Sequence, residues 1–339
     1  MTDTRLDVLC IGNAIVDVIA TTDDSFLERE GLAKGSMRLI DADEATRLYR
    51  NMGPGREVSG GSAGNTAAGI AMLGGKAGFI GQVADDQLGD VYAHDIQSIG
   101  IEFATPRRPQ AEAPTARCLV LVTPDAQRTM NTFLGAAQNL TVEAIDEAQV
   151  KGASILYLEG YLWDPERPRA AMVKAIDMAH ATRRKVAFTL SDTFCVDRHR
   201  QGFLDLLGQG RVDILFANEA EVRALTGESD LDAAVVAAAA KVPLLVVTRS
   251  EHGALAVEGG RRVDVPAEPV GRVVDTTGAG DLFAAGFLTG LAQGRPLEAS
   301  LRMGAIAAAE VISHYGARPE ADLKALVAER IGWSSGRLD

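Results

Sequence analysis

A chain of 339 residues with 47% hydrophobic and 24% charged residues has the apolar mass for one large α/β core. It carries 34 Lys and Arg against 46 Asp and Glu, a formal charge of −12, with no basic cluster. That balance argues against nucleic acid or an anionic membrane as partner, so any bound phosphate must be held by local amides and a few placed cations.

The three cysteines, Cys10, Cys118 and Cys195, stand far apart without Cys-x-x-Cys spacing. Neither a disulfide framework nor a zinc site is suggested, and the expected setting is a reducing cytoplasm. The polar stretch Met1 to Asp7 has no signal-peptide layout, and no apolar run, Ala233 to Ala240 included, is long enough to span a bilayer.

Short apolar runs predict buried strands at Val8–Ile11, Ala77–Ile80, Ser154–Leu158, Val186–Leu190, Ile214–Ala217 and Leu244–Thr248. Segments of helical period lie between them, among them Ala170–His180, Ala220–Leu225 and Leu231–Ala240. Such alternation predicts an α/β fold with a mainly parallel sheet covered on both faces and a ligand beyond the carboxyl ends of its strands. Two stretches, around 20–50 and 103–133, break the pattern; shorter runs there, such as Arg117–Val122, could pair as a small β lid. No repeat or linker divides the chain, which predicts a single unit over residues 1–335.

Candidate chemistry begins where the first strand ends, at Gly12-Asn13-Ala14-Ile15-Val16-Asp17. Asn13 and Asp17 placed there could bind vicinal hydroxyls, although a plain Asn/Asp turn reads equally. In Ser59-Gly60-Gly61-Ser62-Ala63-Gly64-Asn65, the pair Gly60 and Gly61 lets backbone approach a ligand, and Asn65 offers donor and acceptor ahead of a helical run. A flexible Gly-rich turn is the alternative. The neighbourhood of Lys76 nearly mimics a P-loop, but Gly69 is one position early and Ala77 replaces the needed hydroxyl. Asn218-Glu219-Ala220-Glu221 opens a helix with acids, a common arrangement as well as an oxygen-rich one.

The most informative string is Asp275-Thr276-Thr277-Gly278-Ala279-Gly280-Asp281, which leads into an apolar helix. The small residues Gly278, Ala279 and Gly280 leave amides bare at a helix N-terminus, a ready anion site. A carboxylate at that corner would repel the anion it sits beside. Asp281 makes chemical sense if it takes a proton from a hydroxyl that attacks the phosphorus held there. An Asp cap on a Gly-rich turn is the structural alternative. Amides and helix dipole together predict an ionised Asp281 at neutral pH.

This string resembles the C-terminal motif of the PfkB, or ribokinase, family of ATP-dependent kinases. The segment Gly60–Asp90, with Gly81 and Asp85-Asp86-x-x-Gly89, resembles that family's N-terminal motif. The resemblance implies a ribokinase-like three-layer core with a β lid built from two insertions. It also implies ATP as phosphoryl donor, with Asp281 as base and the amides of Gly278, Ala279 and Gly280 on the phosphoryl oxygens. Gly60, Gly61 and Asn65 would bind sugar hydroxyls, and Asn218 and Glu221 would organise Mg²⁺ through water. Thr248 and Gly253, from Thr248-Arg249-Ser250-Glu251-His252-Gly253, would contact ATP. Arg128 resembles the lid arginine of adenosine kinases that reaches the phosphates, although a solvated surface arginine reads as readily.

The spacing Asn13-x-x-x-Asp17 looks more like adenosine kinases than ribokinases or fructokinases, which implies a nucleoside acceptor, adenosine first. Phe133, Leu134 and Leu162 are apolar candidates to flank a purine. Ser313-His314-Tyr315-Gly316-Ala317 resembles the segment that helps form a monovalent-cation site, which would bring K⁺ near Asp275 and Thr277. Exposed lid strands in this family can serve as homodimer surfaces. The alternatives are a kinase for a free sugar such as ribose or fructose, and a silent nucleotide-binding regulator.

Overall fold

The computed structural model describes residues 5–125 and 127–332. Residues 1–4, 126 and 333–335 of the expected unit lie outside that set. The chain opens with β1 (Leu6–Ile11), β2 (Ile15–Thr21), α1 (Asp24–Glu30), β3 (Met37–Leu39), α2 (Ala42–Asn51), β4 (Arg56–Gly60), α3 (Ser62–Met72), β5 (Ala77–Ile80) and α4 (Gln87–Ser98). It continues through β6 (Ala116–Val122), β7 (Arg128–Phe133), α5 (Glu147–Gly152), β8 (Ala153–Glu159), α6 (Glu166–Ala181), β9 (Lys185–Thr189) and α7 (Thr193–Gly208). The last third holds β10 (Ile214–Asn218), α8 (Glu219–Thr226), α9 (Leu231–Ala239), β11 (Leu244–Thr248), β12 (Ala254–Glu258), β13 (Arg261–Val265), α10 (Ala279–Ala292), α11 (Leu297–Val311) and α12 (Leu323–Ile331).

Eight strands form one sheet in the order β13-β12-β11-β10-β9-β8-β1-β5. All pairs from β11 to β5 are parallel, and β12 and β13 add an antiparallel edge. Period-two alternation sends Tyr157, Phe216 and Val246 to one face, where α3, α10 and α11 pack, and Leu156, Leu215 and Leu245 to the other, with α6, α7 and α8. Both faces are therefore buried, which is why these strands are continuous apolar runs in the sequence. The edge strand β13 reads Arg-Arg-Val-Asp-Val and faces water on one side, so it carries no such run.

Five further strands form a second sheet, β3-β7-β6-β2-β4. Strands β6 and β7 fall inside the 103–133 stretch and β3 inside 20–50, whereas β2 and β4 flank the latter. Asp17 accordingly lies within β2, opposite Val58 of β4 and Cys118 of β6, rather than in a turn that closes β1. The expectation placed it on the wrong sheet because only Gly12–Ala14 separates the two strands.

Candidate functional site

Helices α3 and α10 bring their N-termini to one place, and both lack the side-chain cap that Asp or Asn supplies to α1, α2, α4, α7, α8 and α9. The two helices approach closely along Gly69, where a Cβ would lie 2.6 Å from both Ala285 and Leu282. A cavity of about 430 Å³ opens in front of them, between the carboxyl ends of the eight-stranded sheet and the inner face of the second sheet.

At α10, Gly278 caps the helix at φ +80, and a Cβ there would meet Ala317 at 2.8 Å. Glycine is required on both counts. The amide of Ala279 turns back to the Thr276 carbonyl at 3.2 Å. The amides of Gly278, Gly280 and Asp281 meet no acceptor among the described residues. Three uncommitted donors at the positive end of a fourteen-residue helix are an anion site by geometry.

Asp281 stands beside those donors with both oxygens held from α3. Ser62 Oγ donates to Oδ1 at 2.6 Å and Asn65 Nδ2 to Oδ2 at 3.1 Å, while Thr66 Oγ1 bonds its carbonyl at 3.2 Å. Burial pushes its carboxyl above the ordinary aspartate value, and the bonds from Ser62 and Asn65 and the nearby Arg318 charge pull the other way. Burial is the largest cause and opposes the amides and helix dipole from which an ionised Asp281 at neutral pH is expected.

Across the cavity, Asp17 is pushed up to about 6 by burial against the pull of Arg318 and Arg128. Asn65 is 5% exposed and its Oδ1 has no donor among the described residues. Asp17 and Asn65 thus present acceptors that a hydroxylated ligand would satisfy. Gly61, at φ +84, lines the same wall, and its Cβ would fall 2.1 Å from the Asn13 carbonyl. Gly60 sits behind it against the Asp17 carboxylate and does not line the cavity.

Asn13 also stands outside the cavity. Its N and Nδ2 both donate to Glu159 Oε1 at 2.7 Å, and Glu159 Oε2 accepts from Ala63 N at 2.7 Å. The side chain expected on a substrate hydroxyl is spent on shaping the Gly12–Ala14 turn. Glu159 is fully buried and pushed up to about 7 by burial, with its three donors opposing.

Asn218 and Glu221 face the cavity as a reciprocal capping box. Glu221 N donates to Asn218 Oδ1 at 2.9 Å, and Asn218 N and Nδ2 donate to the two Glu221 oxygens at 2.9 and 2.6 Å. Burial pushes the Glu221 carboxyl up to about 7. Among the described residues no group of three or more His, Cys, Asp or Glu could hold a metal alone. Each Glu221 oxygen accepts one hydrogen bond and retains accepting capacity, and Glu221 lines the cavity, which fits a Mg²⁺ carried in by phosphate and met through water.

Thr248 ends β11 on the cavity wall, whereas Gly253 lies outside it, immediately before β12. Arg128 reaches in from β7, pairs with Asp275 and donates to Thr277 Oγ1 at 2.8 Å. Its side chain is only 11% exposed, which removes the reading as a solvated arginine. Asp275 also accepts from Thr277 N at 3.0 Å and Gly316 N at 2.9 Å. A carboxylate so occupied, with a guanidinium against it, does not fit a monovalent cation, and no step is assigned to K⁺. His314 is turned away onto Glu310, 3.2 Å from its Oε1.

Phe133, Leu134 and Leu162 do not line the cavity. Leu162 belongs to the core on the opposite face of the large sheet, and Phe133 lies under Arg117. The apolar lining comes from Ile15, Val120 and Met130 of the second sheet and from Phe216 and Phe283. Sequence reasoning missed Ser62, Glu159, Tyr161 and Arg318. Only Glu159 carried a signal, as a lone acid ending a strand that is otherwise apolar and buried.

A doubly covered parallel sheet, an uncapped helix aimed at a cavity, and a carboxylate beside its bare amides define an α/β protein with a phosphate-binding corner. Residues 5–323 match the pfkB family carbohydrate kinase, and the chain belongs to that family. The crystal structure of adenosine kinase from Sinorhizobium meliloti is 50% identical and superposes with a TM-score of 0.88 over 97% of this chain and 100% of that one. A probable sugar kinase from Rhizobium etli CFN 42 is 48% identical with a TM-score of 0.89, covering 97% and 99%. Guanosine-inosine kinase from Escherichia coli (strain K12) is 32% identical over 242 residues, 66% of this chain and 53% of that protein. The chain thus spans about half the length of that relative. No helix among the described residues is long and apolar enough to cross a membrane.

Proposed function

We propose that the protein transfers the γ-phosphoryl group of ATP to a primary hydroxyl of a nucleoside, with adenosine the first candidate. The observation that carries this reading is Asp281, held by Ser62 and Asn65 beside three bare amides in a cavity it shares with Asp17 and Glu221. The hydroxyl oxygen attacks the γ-phosphorus as its proton passes to Asp281. The bond from that phosphorus to the β,γ-bridging oxygen breaks, and its electron pair leaves with ADP. The amides of Gly278 and Gly280 donate to the phosphoryl oxygens as their charge shifts, a fixed dipole that needs no reorganisation. Glu221 and Asn218 would hold Mg²⁺ through water, and the ion would neutralise charge on the triphosphate. Thr248 and Arg128 sit where the rest of ATP would lie, and the second sheet serves as a lid that keeps water from the γ-phosphorus.

Asp17 and the open Asn65 Oδ1 accept from the acceptor's other hydroxyls. Replacing Asp17 by Ala should raise KM for the nucleoside by about ten- to a hundred-fold, the worth of one buried hydrogen bond, and leave KM for ATP unchanged. An effect confined to ATP affinity would misplace the sugar.

The adenosine kinase relative at 50% identity supports a nucleoside, and the probable sugar kinase at 48% makes free sugars the counter-arm. Coupled ADP release measured against adenosine, guanosine, inosine, ribose and fructose, with and without K⁺, separates them. Release with a nucleoside alone supports the reading, release with a sugar alone replaces the acceptor, and no release with any leaves a nucleotide-binding role.

A further inference from the structure

Among the described residues, Arg318 is a cation without a contact partner of opposite charge. Its Nε and Nη2 donate to the Ser59 carbonyl at 3.0 and 2.5 Å, Nη2 also to Ser59 Oγ at 2.7 Å, and Nη1 to the Gly64 carbonyl at 3.3 Å. Every acceptor is neutral, and among the described residues no carboxylate lies within ion-pair distance. The loop that carries it is pinned on both sides of the anion corner, by Gly316 N on Asp275 at 2.9 Å and by Ala317 against Gly278. Asp17, Ser59, Asn65 and Arg318 line a second cavity of about 60 Å³ directly behind the first.

A guanidinium withdrawn from water ordinarily meets a carboxylate fork to fork. Here backbone carbonyls fill the fork, so the charge is not neutralised by contact and acts through the field on the nearest carboxylates. Those facing it are Asp17 from β2, Asp281 from α10 and Asp95 from α4, with the Tyr92 hydroxyl among them. Asp95 is itself bonded by Ser59 N and Oγ at 2.8 and 2.5 Å. Asp281 further faces Tyr157, Tyr161 and Glu159 from the large sheet and its following turn, and Asp17 faces Arg128 from β7 and Cys118 from β6. Of all these groups only Arg128 is a second cation, and Asp275 already neutralises it. Two like charges sharing one enclosed cavity would otherwise drive one carboxylate to take a proton.

We propose that Arg318 is a positioning residue for the transfer, tying β4 of the second sheet to the first turn of α3 and keeping Asp17 and Asp281 ionised together without touching either. The inference rests on the kinase reading for its purpose, since a base and a hydroxyl acceptor must both be deprotonated to work. It extends that reading to a residue outside both sequence motifs.

The test is a ¹³C carboxyl NMR titration of aspartate-labelled protein without ligand, with Asp17 and Asp281 assigned from Asp17→Asn and Asp281→Asn. Arg318→Gln removes the charge and keeps one donor, Arg318→Met is a second neutral variant, and Arg318→Lys keeps the charge and loses the fork. In a neutral variant with wild-type circular dichroism, the Asp17 and Asp281 titrations should both move up by about one unit. In Arg318→Lys they should stay within a few tenths of wild type, and the acid limb of kcat/KM should follow the same order. Unmoved titrations in the neutral variants overturn the proposal, as does an equal move in Arg318→Lys, which would assign the effect to the fork alone. Failure of both neutral variants to fold while Arg318→Lys folds would make the residue a structural one and also overturn it. The titration needs no turnover, so a wild type without kinase activity would defeat the kinase reading while leaving this result legible.

Discussion

Asp281→Asn should yield a folded protein that binds ATP as before and turns over about 10²–10⁴-fold more slowly, the loss associated with removing a general base. The substitution is nearly isosteric: its amide oxygen can accept from Asn65 Nδ2 and its amide nitrogen can donate to Ser62 Oγ, which keeps the side chain in the same place. What disappears is the lone pair that takes the hydroxyl proton. Steady-state kinetics beside calorimetric ATP binding read both halves, and near-normal turnover in the folded variant would sink the base assignment. The pH profile gives an independent check on the wild type. Asp281 works when deprotonated and burial raises its carboxyl, so kcat/KM should fall on the acid side at a pH above the ordinary aspartate value. The Asp281→Asn profile should lose that limb.

The same residue marks how far the amino-acid order could be read. The anion corner is contiguous, so Gly278 to Asp281 announced itself by local chemistry. The strands of the large sheet were legible because burial on both faces leaves unbroken apolar runs, as at Leu244–Thr248. Asn13 shows the limit. Its amide is chemically fit for a substrate hydroxyl, and nothing near it reveals that Glu159, 146 positions later, uses both of its donors. Arg318 lies 259 positions from Ser59, and only the fold makes them neighbours. Local propensity could not place Asp17 either, because β1 and β2 enter different sheets across a three-residue turn. Phe133 and Leu162 failed as lining for a plainer reason. Hydrophobicity says that a side chain is inside without saying which interior it joins.

Glu159→Ala should destabilise the protein by at least about 3 kcal/mol, because it leaves Asn13 N, Asn13 Nδ2 and Ala63 N as buried donors without an acceptor. Glu159→Gln should cost less, since a carbonyl oxygen can still serve Asn13, and its cost should depend on pH. The Glu159 carboxyl is raised from 4.5 to about 7 in the folded protein. Between those values the folded state holds a proton that the unfolded chain has released, so this group's contribution is full below about 4.5 and is lost as pH rises through about 7. Glutamine has no such slope. The fall in melting temperature caused by Glu159→Gln should therefore be larger at about pH 5 than at about pH 8, and equal falls at both would refute the assignment. Asp17 and Glu221, raised to about 6 and about 7, give the wild type a slope of the same sign. The effect also reaches the chemistry. Glu159 fixes the start of α3, α3 carries Ser62 and Asn65, and those two aim Asp281, so Glu159→Ala should lower kcat even at temperatures where the variant remains folded.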